Sequence, residues 1–336
     1  MKKIVALWQH RYHKINYFLW SHLHFFNTYF LLKLHKIRTG KQNIAIVLAE
    51  QFGDIVACEP VSRYVREQFP TANIVWVVRK LFVEIVKFNP HLSGFHVEFS
   101  VLETILLLEN QAFDKVFNLH ISNRFAAYNR RVQQNLLADK LNITVHTYFF
   151  HGCILEVFSE IAGLPRLNEA PKLYIPAFVK NQVDTLSLPA QFVVIHCQSN
   201  LPSKNWNKAH WHHLVKDVLH HTTFSIVEIG LTPEIEMINP RMVNLCGKIS
   251  LLETAEVIRR STLFIGIDSG PAHFANALGI YGVILLGKLA DFDDYMPYSG
   301  RYQTGDKATI VRQQSKPCSQ LPYEPVWQAV QESLIK

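Results

Sequence analysis

The stretch "FIGIDSGPAHFANALG", Phe264 to Gly279, joins an apolar strand-like run, a turn of small residues and a helix-like run. Pro271 falls in the first helical turn, where its missing N–H costs no hydrogen bond. Backbone N–H groups at such a helix start, together with the helix dipole, favour the binding of an anion. The stretch is neither a Walker loop nor a GxGxxG fingerprint, so by itself it predicts a phosphate-like ligand without identifying it.

Strand-like and helix-like segments alternate on both sides of this stretch, which predicts an α/β protein with parallel sheets and helical crossovers. A proline-marked passage, residues 171–189, separates two such series. We therefore predict an arm at 1–41, an N-terminal domain at 42–178 and a C-terminal domain at 179–336, whose last helix could pack back on the N-terminal domain. The predicted strands are Asn43–Leu48, Ala72–Val78, Phe113–His120, Phe192–Cys197, Phe224–Gly230, Met242–Cys246, Leu263–Ile267 and Tyr281–Gly287, and helices are predicted at about 208–221, 250–260 and 271–278.

The composition limits the class of protein. A chain of 336 residues exceeds what one hydrophobic core usually supports. Its five cysteines are scattered without a CxxC pair, which argues against a zinc ribbon or a disulfide framework and favours a reduced, cytoplasmic setting. The formal charge of +7 lies in residues 1–41, which carry eight Lys or Arg and no acid, so the near-neutral body does not fit a nucleic-acid-binding protein.

The arm contains "INYFLWSHLHFFNTYFLLKLHKIR", Ile15 to Arg38, and it is basic at both ends with aromatic residues between. Polar residues interrupt the apolar run and no small-residue cleavage site follows, so a transmembrane anchor or a secretory signal is disfavoured. Two interpretations remain, a helix lying in the membrane interface and a helix packed on the body.

Polar side chains follow predicted strands at three further turns. In "EQFGDIVACEP", Gly53 permits an unusual backbone angle, and Asp54 falls at or near a helix N-cap. Capping alone explains an acid at this position, but the Asp54 carboxylate could also accept a proton from an attacking hydroxyl. In "HCQSNLPSKNW", Ser199 and Lys204 lie in a polar loop, where the lysine is either solvated or a partner for a diphosphate. In "EIGLTPEIE", Glu234 falls near a predicted helix start, where it either favours the helix dipole or accepts hydrogen bonds from a ribose.

A run of acids, "DFDD", spans Asp291 to Asp294. An Asp-x-Asp pair can hold a divalent ion against a diphosphate, so a metal site is one interpretation. We do not favour it, because Lys204 and the helix start after Ser269 already supply positive charge. No metal site is predicted.

Taken in order, these motifs resemble the ADP-heptose:lipopolysaccharide heptosyltransferases, glycosyltransferase family 9. The segments that carry the resemblance are "GDIVACEPVSRYVREQFPTA", "LCGKISLLETAEVI" and "DSGPAHFANALGIYGVILLG", and the match covers most of residues 43–336. The resemblance implies a GT-B fold, with two Rossmann-like parallel-sheet domains facing across a cleft. It also implies an inverting glycosyl transfer from an ADP-sugar, ADP-heptose, that needs no metal or other cofactor.

The resemblance implies roles for individual residues. Asp54 takes the position of the general base, Lys204 that of the phosphate-binding lysine and Glu234 that of the ribose-binding acid. Asp291 falls beside the donor sugar, and Ile249 falls where an apolar residue contacts adenine. The remaining donor-binding positions are Ser199, in a loop longer than the family's, and the diphosphate loop of Asp268, Ser269, Gly270, Pro271, Ala272 and His273.

The acceptor implied by the resemblance is lipid A carrying Kdo, or the core oligosaccharide of lipopolysaccharide. Its anionic groups could meet Arg124, Arg130 and Arg131, although these residues could equally form a solvated face. Gly53 and His120 are also predicted to bind the acceptor. Peripheral contact with the cytoplasmic face of the inner membrane is expected, and a nucleic-acid partner is not.

Two other functions stay open. One is a GT-B transferase that uses another nucleotide-sugar to build a different surface glycan, and the other is a family member that binds nucleotide without catalysing transfer. A Rossmann oxidoreductase is disfavoured, because "AEQFGD" lacks the GxGxxG that would follow its first strand.

Overall fold

The computed structural model describes residues 2–121 and 123–335, and the chain begins with a 38-residue helix, α1 (Lys2–Thr39). The next elements are β1 (Asn43–Val47), α2 (Phe52–Ala57), α3 (Glu59–Gln68), β2 (Asn73–Val78), α4 (Val83–Lys87), β3 (Gly94–Val97), α5 (Val101–Glu109), β4 (Lys115–Asn118), β5 (Arg124–Phe125), β6 (Val132–Gln133), α6 (Leu136–Lys140) and α7 (Ile154–Ile161). They are followed by α8 (Ala177–Asp184), β7 (Phe192–His196), α9 (Lys208–His221), β8 (Ser225–Glu228), β9 (Met242–Asn244), α10 (Leu251–Arg260), β10 (Leu263–Ile267), α11 (Gly270–Leu278), β11 (Gly282–Leu286), β12 (Ala308–Arg312) and α12 (Tyr323–Ile335). The strands and helices predicted from the alternation are confirmed, with small differences at their ends.

Contacts between Cα atoms divide the chain into two compact units. Unit 1 comprises residues 1–50, 61–145 and 161–164, and unit 2 comprises residues 51–60, 146–160 and 165–336. Unit 2 thus includes segments from well before residue 179, and within it Phe52 packs on Phe274 with ring centroids 5.0 Å apart. The domain division proposed at residue 178 stays a prediction.

In unit 1 the strands form a parallel sheet in the order β3-β2-β1-β4. A short antiparallel hairpin joins β5 and β6. One face of the sheet packs against α5 and α1, and there it buries Val47 and Val75 with Leu102, Leu106 and Phe25. Because the strands are parallel, the residues that follow them gather at one edge of the sheet.

In unit 2 the strands form a parallel sheet in the order β9-β8-β7-β10-β11-β12. The chain moves outward from β7 to β9 and then returns to β10 on the other side of β7, which is the strand order of a doubly wound nucleotide-binding sheet. Helices α9 and α12 cover one face, where Ile195, Trp211, Ile265, Val283 and Val326 are buried. The last helix therefore packs within unit 2.

The helix predicted after Gly53 is interrupted. It divides into α2 and α3 at Cys58, because Pro60 in the first turn of α3 has no N–H to donate to a preceding turn. The N-cap of α2 is Gln51, so Asp54 lies inside the first turn of the helix rather than at its cap. A carboxylate there still favours the helix dipole.

The helix predicted at Glu234 is wrong, because residues 231–240 run without helix. The carboxylate of Glu228 accepts hydrogen bonds from the backbone N–H groups of Glu234, at 2.6 Å, and Ile235, at 3.3 Å. These bonds hold the backbone in a loop, since they engage N–H groups that would otherwise open a helix.

The basic arm is α1, one continuous helix packed on the rest of unit 1. Its inner face buries Phe25 and Leu32, the hydroxyl of Ser21 lies 2.8 Å from that of Ser100, and the Asn43 side-chain amide donates to the Leu32 carbonyl at 2.8 Å. The packed-helix interpretation is therefore correct for this face. Of the helices in residues 2–121 and 123–335, none has both the length and the apolar character needed to cross a bilayer.

Substitution of Gly287 tests how tightly the end of β11 is packed. A Cβ atom at Gly287 would lie 2.0 Å from the backbone nitrogen of Cys318, whereas a Cβ at Gly94 meets nothing within 4 Å. We expect Gly287→Ala to cost about 1–3 kcal/mol or more, since backbone must move, and Gly94→Ala to leave stability nearly unchanged. Thermal unfolding of both variants checks this, and equal melting temperatures would contradict the packing.

Candidate active site

The topological switch of the unit 2 sheet lies between β7 and β10, which are hydrogen-bonded neighbours. Ligands of open parallel sheets bind outside the carboxyl ends of the strands at such a switch. β7 ends at His196, and β10 is followed by Asp268 and Ser269. The stretch Phe264 to Gly279 therefore lies at the point where this strand order forms a crevice.

A buried histidine fixes the start of α11. Ser269 is the N-cap residue, yet its side chain makes no capping bond to the helix. Its hydroxyl instead donates to the Ile267 carbonyl, at 3.1 Å, and pairs with Nδ1 of His196, at 3.0 Å. Burial lowers the pKa of His196 to about 4, so the ring is neutral near pH 7 and donates its Nδ1–H to the Ser269 oxygen. The Ser269 side chain thus does not cap α11, whereas its backbone carbonyl accepts from the N–H groups of Ala272, at 3.1 Å, and His273, at 3.4 Å.

Asp268 is a buried charge held by three partners. Its carboxylate accepts from Lys204 Nζ at 2.6 Å and from the hydroxyls of Tyr295, at 2.9 Å, and Tyr298, at 3.1 Å. Burial alone would raise the pKa of Asp268, but the charge of Lys204 and the hydrogen bonds from Lys204 and Tyr295 hold it below its usual range. The structure thus gives Asp268 the role of anchoring Lys204, whose partly exposed ammonium retains protons for a further acceptor.

His273 lies in the first turn of α11 and is 4% exposed. Burial lowers its pKa to about 4, so it too is neutral near pH 7. Within the described residues its Nδ1 atom is buried and has no hydrogen-bond partner. An orphaned polar atom at a helix start is a reason to expect a ligand there, because burial without a partner is costly.

Helix α2, which carries Asp54, is packed on α11 through two glycines. A Cβ atom at Gly53 would lie 3.3 Å from the Cα of Gly270, and a Cβ atom at Gly270 would lie 2.0 Å from the Phe52 ring. Neither site has room for a larger residue without movement. Asp54 is therefore held beside the start of α11 by a contact that only small residues permit.

Tyr148 is a partly buried phenol whose pKa responds to the charges of two carboxylates of this site, Asp54 and Asp268. It lies in a 3₁₀ turn, Tyr148–Phe150, that packs on Phe292. Burial, followed by the negative charges of Asp54 and Asp268, raises the pKa of the Tyr148 phenol. The phenol is therefore protonated near pH 7.

A second network holds the loop of Glu234. The Gln198 side chain donates its amide to the Glu234 carboxylate and accepts from the Thr232 hydroxyl, the latter at 2.9 Å. Glu228, the last residue of β8, accepts from backbone N–H groups of the same loop through its carboxylate. The Ser199 hydroxyl, by contrast, donates to the Leu201 carbonyl at 2.8 Å, within its own turn.

The family model of glycosyltransferase family 9 (heptosyltransferase) matches residues 108–318, which is more than half of the chain. The chain belongs to glycosyltransferase family 9. It is therefore a glycosyltransferase, as the motifs predicted. No curated protein sequence matches the chain.

Solved structures of family 9 enzymes share its fold. A glycosyl transferase family 9 protein from Veillonella parvula is 19% identical with a TM-score of 0.67, and the match covers 88% of this chain and 97% of that one. The ADP-heptose lps heptosyltransferase II of E. coli is 16% identical with a TM-score of 0.63, covering 87% and 98%. The E. coli heptosyltransferase WaaC with ADP is 16% identical with a TM-score of 0.57, covering 87% and 99%. The predicted GT-B fold is confirmed.

The acids of "DFDD" in this family 9 enzyme are paired with basic side chains. Asp291 lies 2.6 Å from Nδ1 of His146, Asp293 lies 2.7 Å from Lys288, and Asp294 pairs with Arg312. Across residues 2–121 and 123–335, no group of three or more His, Cys, Asp or Glu side chains is placed to hold a metal ion.

The carboxyl edge of the unit 1 sheet carries its own charged network. Glu50 follows β1, Arg79 follows β2, Glu98 follows β3 and His120 follows β4. The Ala49 N–H donates to Nε2 of His120 at 3.2 Å, so Nδ1 carries the proton and donates to Glu50 at 3.0 Å. Burial alone would raise the pKa of Glu50, but the His120 hydrogen bond and the nearby Arg124 hold it below its usual range.

The predicted acceptor residues differ in accessibility. His120 is 1% exposed and Arg124 is 7% exposed, with the guanidinium bonded to Glu98 and to Gln133. Arg130 and Arg131 are exposed on the β5–β6 hairpin, where Arg131 pairs with Glu109 at 2.9 Å. Ile249, predicted to contact adenine, is half-buried between β9 and α10. Binding of ligands by these residues stays a prediction.

Several residues of the site were not found from the sequence. Tyr148, Tyr295 and Tyr298 lie in segments without a motif, and only their burial beside Asp268 or Asp54 brings them to notice. His196 and Gln198 flank the end of a predicted strand, and polar residues at the carboxyl end of a parallel strand are the sequence feature that could have indicated them.

Gly270→Ala tests the packing that positions Asp54. The added Cβ would collide with the Phe52 ring and displace α2, so we expect a loss of glycosyl transfer of about tenfold or more. Combining it with Phe52→Ala removes the ring and should return part of the activity. Steady-state kinetics of the single and double variants measure this, and a fully active Gly270→Ala enzyme would refute the contact.

The buried histidines predict a dependence of stability on pH. The pKa of His196 is about 4 in the folded protein and near 6.5 in an unfolded chain, so the unfolded state binds more protons between these values. The stability that neutral His196 provides is complete above about pH 6.5 and is lost as the pH falls toward about 4.

His196→Asn keeps a side-chain N–H for Ser269 but cannot take up a proton. We expect its melting temperature to fall less steeply than that of the wild type from about pH 6.5 to 4.5. His220→Asn, which removes an exposed imidazole, is the matched control. Identical slopes for the wild type and His196→Asn would contradict the assignment.

Proposed function

We propose that this enzyme transfers heptose from ADP-heptose to the inner core of lipopolysaccharide or lipooligosaccharide, with inversion at the anomeric carbon. The observation that carries the proposal is the packing of α2 on the start of α11 through Gly53 and Gly270. This contact holds Asp54, a candidate base, beside a candidate diphosphate site in one compact unit.

The donor site is supported by the chemistry of its side chains. The ammonium of Lys204, the Gly270 N–H at the start of α11 and the His273 ring, whose buried Nδ1 has no partner among the described residues, offer hydrogen-bond donors to a diphosphate. Glu234 would accept from the ribose, and Ile249 would contact the adenine. The structure of E. coli WaaC with ADP-2-deoxy-2-fluoro heptose describes such a donor in a protein of this fold.

The proposed reaction is a single displacement. An acceptor hydroxyl attacks the anomeric carbon of heptose, its proton passes to the Asp54 carboxylate, and the bond to the β-phosphate oxygen of ADP breaks. The leaving electron pair remains on ADP, where Lys204, the Gly270 N–H and the dipole of α11 stabilise the added negative charge. These groups supply the charge that a metal supplies in other transferases, and we propose a metal-independent reaction without a cofactor.

The acceptor is proposed to be Kdo-bearing lipid A or a core oligosaccharide, at the cytoplasmic face of the inner membrane. Exposed Arg130 offers a cation to its anionic groups, and Arg131 a second one beyond its pair with Glu109. Asp291 is proposed to contact the donor sugar, and His146 pairs with its carboxylate at 2.6 Å.

Incubation with ADP-heptose and a panel of truncated lipopolysaccharide cores, followed by mass spectrometry, tests donor and acceptor together. We expect one core to gain one heptosyl unit. Transfer from another nucleotide-sugar, with none from ADP-heptose, would overturn the proposed donor.

Asp54→Asn tests the proposed base. The amide keeps the size of the side chain but cannot accept the proton, so we expect kcat to fall by about 100- to 10,000-fold while ADP-heptose binding changes little. Asp306→Asn, at an exposed acid of unit 2, is the matched control and should keep wild-type kinetics. An Asp54→Asn enzyme with unchanged kcat would remove Asp54 from the chemistry.

A further inference from the structure

The face of α1 that points away from unit 1 is an exposed apolar surface. The outer stripe consists of Tyr12, Ile15, Leu19, Leu23, Phe26 and Phe30, whose side chains are 47–65% exposed. They recur at intervals of three or four residues, so they lie along one side of the helix for about 27 Å. Trp8, 63% exposed, extends the stripe toward the N-terminus.

The stripe cannot turn inward, because the opposite face of α1 is already committed to unit 1. Ser21 bonds to Ser100, Lys36 pairs with Asp114, and His24 stacks on Phe99 with ring centroids 4.4 Å apart. The side chains between those contacts, Phe25 and Leu32, are buried. Two opposite faces of one helix are therefore apolar, and only one of them is covered in the described part of the chain.

The charge around the stripe identifies the occupant. No Asp or Glu occurs before Glu50. In contrast, α1 carries the exposed cations Arg11, Lys14 and Arg38, and exposed Lys41 follows its end. A second copy of the same helix would bring like charges together without an acid to pair them. An anionic phospholipid surface supplies the opposite charge, and it also accepts aromatic side chains at the headgroup level.

We infer that the outer stripe of α1 docks the enzyme on a bilayer surface rich in anionic phospholipids. The helix lies parallel to the membrane, with its apolar stripe in the headgroup region and its inner face still on unit 1. The inference deepens the proposed function, since it rests on a reaction at the membrane and names the surface that holds the enzyme there.

Vesicle binding of the full chain tests the inference without donor or acceptor. We expect cosedimentation with vesicles of phosphatidylcholine and phosphatidylglycerol at least tenfold stronger than with phosphatidylcholine alone, and weaker as salt rises. Equal binding to both vesicle types, or to neither, would overturn the inference. If vesicle binding holds but ADP-heptose transfer fails, the docking surface stands and the proposed reaction falls.

A triple variant, Ile15→Ser, Leu19→Ser and Phe26→Ser, should reduce vesicle binding at least tenfold without changing the melting temperature, because these side chains are exposed. The matched control, Leu81→Ser, Leu136→Ser and Ile335→Ser, removes exposed apolar residues elsewhere and should bind vesicles as the wild type does. Equal loss in both variants would show that binding is not specific to α1 and would overturn the inference.

A milder variant keeps the test independent of folding. Brominated lipids should quench tryptophan fluorescence in the wild type, and Trp8→Phe should lose part of that quenching. Unchanged quenching would contradict the orientation of the stripe. A wild type that ignores vesicles and sediments as a dimer, which the triple variant converts to monomer, would assign the stripe to a second copy instead.

Discussion

The candidate site at the start of α11 depends on one buried negative charge, the carboxylate of Asp268. A buried charge without partners is strongly unfavourable, and here it is satisfied by Lys204 and by two phenols, those of Tyr295 and Tyr298. These partners come from the loop after β7 and from the segment between β11 and β12. One carboxylate therefore ties together three segments that are distant in sequence, and it fixes the ammonium that we propose to meet the diphosphate.

Around that charge the site is built from neutral, buried donors. His196 and His273 are both uncharged near pH 7, since burial lowers the pKa of each to about 4. His196 donates its Nδ1–H to Ser269, and the buried Nδ1 of His273 has no partner among the described residues, so neither neutral ring adds fixed charge to the interior. The positive potential is left to Lys204 and to the dipole of α11, which is consistent with the proposed ADP leaving group.

The sequence predicted the strands and the main helices, because these follow from local periodicity and turn chemistry. The anion site at the start of α11 stays a prediction. The sequence could not predict that Lys204 and Asp268 are partners, since that pairing exists only after β7 and β10 become neighbours. It placed a helix at Glu234 because acids favour helix starts. Glu228, buried at a strand end, engages the same N–H groups and prevents that helix. Tyr148 has no local signal in the sequence, and its partial burial against Phe292 is a product of tertiary packing.

The assignment of residues 51–60 to unit 2 has a consequence for how family 9 enzymes can be recombined. A chimera joined in the linker near residue 178 would take α2 from one parent and α11 from the other. Phe52 and Gly53 would then pack on a helix start that comes from the other parent. Their close contact with Gly270 leaves no room for a larger side chain at either glycine. Exchange of acceptor domains between relatives should therefore carry this ten-residue segment with the donor half, and the residues at the two glycines should change together over evolution.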